Sequence, residues 1–258
     1  TVVQEALKSF FDDFLNAFMS KIRRSNMEYI LIICISLITL AVLKFVWGIR
    51  IKDIKLLKEL GFDKKLNEIT NKLPENREIC NYILKILGNE NVNVKENEGN
   101  QASLYIAISN SIIIANIKNT FTRVQTIAHE CLHSVQNRRT LIFNFILSNL
   151  YIIYFISIII LTIFKLNPCK IYIGFGFIIL GFIQYTIRSY LEMDAMIKAP
   201  VLAEKYIQQK NTLTNEEQKA IFDNYKIINT IGIKLSNYSL IANQFIKLII
   251  YLIACMIF

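Results

Sequence analysis

The sequence predicts a mainly α integral membrane protein with four transmembrane helices and a small α/β segment on the cytoplasmic side. The 258 residues are 53% hydrophobic and only 19% charged, below the roughly 25% charge of ordinary soluble domains. The apolar residues gather into four runs of the length a hydrocarbon core demands, about 20 residues per helix. The chain's only two histidines fall together between the first and second runs. This balance excludes disordered, collagen-like and plain soluble classes.

Taken in order, Tyr29 to Trp47 carries no charge before Lys44. Lys21, Arg23 and Arg24 precede it as they would a signal peptide, but the run is too long and no small-x-small cleavage site follows, so it is read as an anchor. Leu141 to Phe164 is uncharged, Ile171 to Ile187 is uncharged but near the lower length limit, and Leu240 to Phe258 contains only Lys247. That lysine must snorkel or face a protein partner. Residues 1–28 form an N-terminal segment. Because the chain starts at Thr1 and Met27 lies just before the first span, this segment is expected to be an upstream extension.

Basic residues near the span ends set the orientation. Arg50, Lys52, Lys55, Lys58, Arg138, Arg139, Arg188, Lys198, Lys226 and Lys234 share one side, against Lys21, Arg23, Arg24, Lys165 and Lys170 on the other. Both large extramembrane segments, 48–140 and 188–238, are therefore expected in the cytoplasm. The net charge of +9 is accounted for by this placement and by contact with the lipid bilayer. No Lys/Arg stripe with stacking aromatics marks a nucleic-acid surface. Five cysteines without a C-x-x-C pair read as reduced, incidental thiols.

Within 48–140, Ile51 to Leu60 reads as a helix ending at Gly61, and Pro74 opens a second helix from Glu75 to Leu87. Asn91 to Lys95, Ser103 to Ser109 and Ser111 to Lys118 read as strands, followed by a helix from about Thr120 to Asn137. Within 188–238, the helix from Arg188 should kink or break at Pro200. Thr214 with Glu217 forms a capping box for a helix from Asn215 towards Asn237.

The helix at Thr120 carries the chemistry. It contains His129-Glu130-Cys131-Leu132-His133, an H-E-x-x-H pattern whose histidines, four apart, present their nitrogens from one helical face to one metal ion. Glu130, about 100° round, can reach a water bound there. Gln125, His129, His133 and Gln136 share this face. Val124, Ile127, Ala128, Cys131, Leu132 and Val135 share the packing face. A catalytic zinc keeps three protein ligands and an open position. No third histidine exists, and no metzincin extension follows His133, so the third ligand is expected to be a carboxylate or, less favoured, a cysteine. The second and third spans form a hairpin that returns the chain to the same side, directly before Glu192-Met193-Asp194-Ala195. Glu192 and Asp194 lie about 200° apart on a helix. Glu192, with the longer reach and a face shared with Arg188 and Met196, is chosen as ligand. Asp194 is left to orient a neighbouring group or cap a helix.

Ala128-His129-Glu130-Cys131-Leu132-His133-Ser134-Val135-Gln136 and Glu192-Met193-Asp194-Ala195 resemble, in order and setting, the two motifs of the bacterial YugP-type membrane zinc metallopeptidases. Leu213 to Glu217 is similar to that family's C-terminal region, and the resemblance covers about Met27 to Phe258. Leu132 stands where the family has Gly, and Ser134 where it has Ala. The resemblance implies a multi-pass cell-membrane zinc endopeptidase with a zincin-like segment. In it His129, His133 and Glu192 hold Zn2+, Glu130 is the catalytic base, and the substrate is a protein or peptide, membrane proteins included. The strand Ser111 to Lys118 is read first as a buried strand, with holding an extended peptide across the metal as the less favoured alternative; no oxyanion donor is assigned, Tyr190 and Tyr225 being named only as candidates. Two alternatives stay open: a catalytically degenerate membrane interaction or scaffold protein, and a membrane protease of the HtpX kind. A site-2 protease does not fit, because Arg123, Gln125 and Arg138 flank the motif helix and no Asp-Gly follows.

Overall fold

In the computed structural model, residues 26–97, 99, 102–167 and 169–258 are described, so the N-terminal segment lies almost wholly outside them. The elements run α1 (Asn26–Val46), α2 (Ile51–Gly61), α3 (Lys64–Asn71), α4 (Asn76–Ile86), β1 (Asn93–Glu96), β2 (Leu104–Ile106), β3 (Ser111–Ile114), α5 (Arg123–Val135), α6 (Arg138–Ile163), α7 (Lys170–Lys210) and α8 (Asn215–Ile257). The fold is mostly helical with one three-stranded sheet. Helices α1, α6, α7 and α8 are long and apolar enough to cross a membrane.

The chain divides into two compact units. One comprises the described residues up to Leu43, Tyr151–Gly181 and Ala242–Phe258. Its core gathers Tyr29, Tyr151, Phe177, Leu248 and Tyr251. Tyr151 stacks on Phe177 with ring centroids 4.7 Å apart. Gly181 and Gly174 admit the Tyr151 and Tyr251 rings so closely that a Cβ would sit 3.1 and 3.0 Å from them, the small-residue approach typical of apolar helix bundles. Lys247 finds its partner here, with Nζ 4.7 Å from the centre of the Tyr151 ring.

The second unit, Lys44–Leu150 with Phe182–Ile241, holds the sheet and the motif helix. Strand order is β1-β3-β2, with β1 parallel and β2 antiparallel to β3. The Ser111 strand is therefore the buried one, and only its alternative use as a peptide-holding edge is corrected. Ile112 and Ile114 are 0% and 1% exposed, and Ser111 and Ile113 are buried or half-buried, so both faces are covered and neighbouring strands take both edges. A strand of continuous β-branched residues belongs in that central place. The free edge near the motif helix belongs to β2.

Local signals explain most helix ends. The Asp63 carboxylate caps α3 by accepting from the Leu66 N–H at 3.0 Å. Gly88, at φ 67°, ends α4: its N–H reaches Lys85 O while that of Asn89 reaches Leu84 O, a Schellman closure that needs the left-handed backbone glycine allows. The capping box closes as expected, with Thr214 N–H on Glu217 Oε2 at 3.0 Å and Glu217 N–H on Thr214 Oγ1 at 3.3 Å. Pro200 does not break its helix, since α7 is continuous from Lys170 to Lys210. Neighbouring Ala199 and Ala203 are fully buried in the core, and that packing holds the turn whose hydrogen bond proline cannot make.

Arg123, the first residue of α5, is wholly buried. Its guanidinium donates to the Thr70, Leu73 and Pro74 carbonyls at 2.8–2.9 Å and to Asn76 Oδ1 at 3.2 Å. One cation thus ties the α3–α4 turn to the start of the motif helix.

Candidate metal centre

Helix α5 owes its position to one apolar stripe. Val124, Ile127, Ala128 and Cys131, spaced at i, i+3, i+4 and i+7, are all 0% exposed, with Val124 and Ile127 each contributing about 1.5–3 kcal/mol of burial. Val135 does not join them; it is exposed, because the helix stops there and Gln136 turns extended. The opposite face carries His129 and His133, whose Nε2 atoms approach to 3.1 Å. Glu192 of α7 brings Oε2 to 3.4 Å from His129 Nε2 and 3.9 Å from His133 Nε2. These three residues offer donor atoms all within 4.8 Å of one another and could hold a metal ion.

The outer contacts fix the tautomer of His133. Gln136 Nε2 donates to Leu191 O at 2.8 Å and to Asp194 Oδ2 at 3.0 Å. Both amide hydrogens are then spent, so Oε1, 2.8 Å from His133 Nδ1, must accept. The Nδ1 proton is held there and the Nε2 lone pair faces the other donors, the state a metal ligand requires. Asp194 takes no place among the donors; it anchors Gln136 and pairs with Lys198. The helical wheel placed Gln136 beside the histidines but gave it no task. Its partners sit on α7, and only the assembled fold brings them near.

Electrostatics divide the site. Burial and the neighbouring His129 charge push the His133 pKa down, favouring a neutral imidazole. For His129, burial opposes the charge, but the hydrogen bond to Glu192 and the Glu130 and Glu192 charges outweigh it and lift the pKa. Glu192, just beyond the apolar run 171–187, feels burial in the opposite sense. The His129 hydrogen bond and the His133, His129 and Arg188 charges prevail and hold it below the usual carboxylate range. Glu130 is different: burial pushes it up to about 7, although the His129 charge and the Tyr105 backbone N–H pull the other way.

Two clefts flank the donor group. The larger, about 430 Å³, is lined by β2 and the following Ala107 and Ile108, by His133 and Glu192, and by residues of α6 and α7. The other, about 370 Å³, is lined by Gln125, His129, Glu192, Met196 and Asn229 among others. Neither expected oxyanion donor lines either cleft. Tyr225 is buried and spends its hydroxyl on Phe121 O at 3.0 Å; Tyr190 faces a separate depression beside Asp194 and Lys198. Comparison of the chain with family models, with curated proteins and with solved structures returns no match.

Proposed function

We propose that this protein is a membrane-embedded zinc endopeptidase of the YugP type, with a zincin-like catalytic segment facing the cytoplasm. The observation that carries this reading is the convergence of His129, His133 and Glu192 beside the buried carboxyl of Glu130. Two nitrogens and one carboxylate oxygen are the donor set of a catalytic zinc, with one position left open. The 3.1 Å between the imidazole nitrogens is close to the edge, about 3.3 Å, of a tetrahedron with bonds of about 2.0–2.1 Å. When bound, zinc supplies a Lewis acid that polarises a peptide carbonyl and acidifies water.

The chain's own residues do the rest. Glu130, buried beside His129, takes a proton from the attacking water and passes it to the leaving amine. Gln136 keeps His133 in its metal-ready tautomer. The free edge of β2 lies along the larger cleft and suits an extended peptide added as a further strand. Clefts on both sides of the donor group give room for chain before and after the scissile bond, which favours internal cleavage.

The test uses the full chain purified in detergent. Stoichiometric zinc by elemental analysis is expected, with hydrolysis of an unfolded casein that a chelator stops and Glu130→Gln abolishes. Protein without zinc, or casein cleavage unchanged in Glu130→Gln, would overturn the proposal.

A further inference from the structure

We propose that Arg188 reads the substrate, accepting a carboxylate of the peptide next to the scissile bond; this rests on the protease reading above. Arg188 precedes Glu192 by one turn of α7, and its Nε lies 3.8 Å from Glu192 Oε1, while the other oxygen of that carboxylate faces the histidines. The guanidinium is thus one carboxylate's width from the donor group. It lines the larger cleft beside His133 and Glu192 with its side chain 46% exposed. Among the lining side chains only Arg188 and the donor residues are charged, with Arg138 reaching its edge at the Ile108 carbonyl, 3.5 Å away; the rest is β2 and the two residues after it, the apolar side chains Leu141, Phe145 and Leu191, and the neutral Asn144 and Ser148.

The guanidinium is underused within the chain. An exposed pair at 3.8 Å is worth little, and among the described residues no hydrogen bond from its side chain occurs, against five N–H donors available. A cation bound by Glu192 engages the one carboxylate that faces Arg188, and the cleft is left with an uncompensated positive field. A planar, bidentate guanidinium suits a carboxylate better than the point charge of a lysine. The substrate class that follows is a peptide with an acidic side chain, or its own free C-terminal carboxylate, adjacent to the cleaved bond.

Three dipeptide hydroxamates separate these sources: one ending in leucine amide, one in glutamate amide, one in leucine with a free carboxylate. Each is titrated calorimetrically onto the zinc-loaded full chain in detergent, and zinc content is measured for every variant. One of the two carboxylate compounds is expected to bind wild type about tenfold or more tighter than the neutral one, and which one identifies the source. Arg188→Gln should bring that ratio to about unity, and Arg188→Lys should leave it between. Equal binding of all three compounds, or a preference that survives Arg188→Gln, overturns the assignment. If Arg188→Gln fails to hold zinc, the ratio in Arg188→Lys decides, and an unchanged ratio there overturns it. A zinc-loaded protein that binds none of the three overturns the protease reading as well, whereas neutral binding without preference removes only the role of Arg188.

Discussion

Replacing Gln136 by methionine keeps the length of the side chain and deletes the amide that joins His133 to α7. In the native site that amide accepts from His133 Nδ1 at 2.8 Å and donates to Leu191 O and Asp194 Oδ2 at 2.8 and 3.0 Å. Losing the first bond removes about 0.5–1.5 kcal/mol and frees the imidazole to rotate and to carry its proton on Nε2, where it blocks metal binding. Losing the other two leaves a carbonyl and a carboxylate short of a donor in the folded protein whether or not metal is present, so this part lowers Tm without favouring the metal-free state. Only the His133 part registers in metal affinity, and removal of such outer partners elsewhere weakens it about 10–100-fold. The expected result for Gln136→Met is therefore a zinc Kd raised about tenfold or more in competition with a chromophoric chelator, on the full chain in detergent. A Kd within about twofold of wild type, in a variant whose metal-free Tm has fallen, would refute the assignment of the tautomer to Gln136.

Three further outcomes follow from the same geometry. Glu192→Ala is expected to abolish zinc retention through gel filtration, whereas Asp194→Ala, which acts only through Gln136, should weaken it; retention in the first would move the third ligand elsewhere. Glu130 titrates near 7 in the folded, metal-free protein against an ordinary 4.5, so its stabilising contribution is full below about 4.5 and is lost as pH rises through 7. At about 1.4 kcal/mol per pH unit that is about 3 kcal/mol, and the Tm of metal-free wild type should fall between pH 5 and 8 more steeply than that of Glu130→Gln. Arg123→Leu removes the donor shared by three carbonyls and Asn76 at the α3–α4 turn and should cost about 3 kcal/mol or more, read as a lowered denaturant midpoint.

What the sequence made legible is what local periodicity encodes. The motif helix was readable because its apolar stripe and its two histidines obey one 3.6-residue period, and the long helices because their apolar runs exceed any soluble need. The partnership of Glu192 was readable for a topological reason: two long apolar runs joined by a short turn bring the chain back, and Glu192 is the first carboxylate after them. Helix α3 was missed because KKLNEITN is short and polar, with neither length nor propensity to declare itself. Its Leu66, Ile69 and Thr70 are buried, so tertiary packing rather than local preference holds it. Pro200 misled in the opposite direction, since a local rule against helix lost to a buried alanine-rich contact.

The placement of β3 shows which of two uses of one local signal the fold adopts. Its isoleucine run announces a strand, but a run without alternation is one buried on both faces, and such a strand cannot also offer an edge to a substrate. The weaker strand, Leu104–Ile106, with its half-buried residues, is the one that can border a cleft. Its Tyr105 N–H lies close enough to Glu130 to pull the pKa of that carboxyl down, so the strand that would hold a peptide also borders the base that would cleave it. Positioning and chemistry are thus coupled through one strand. A substitution that shifts β2, such as proline at Ala107, should impair peptide binding and proton transfer together while leaving the donor atoms of His129, His133 and Glu192 to bind metal as before.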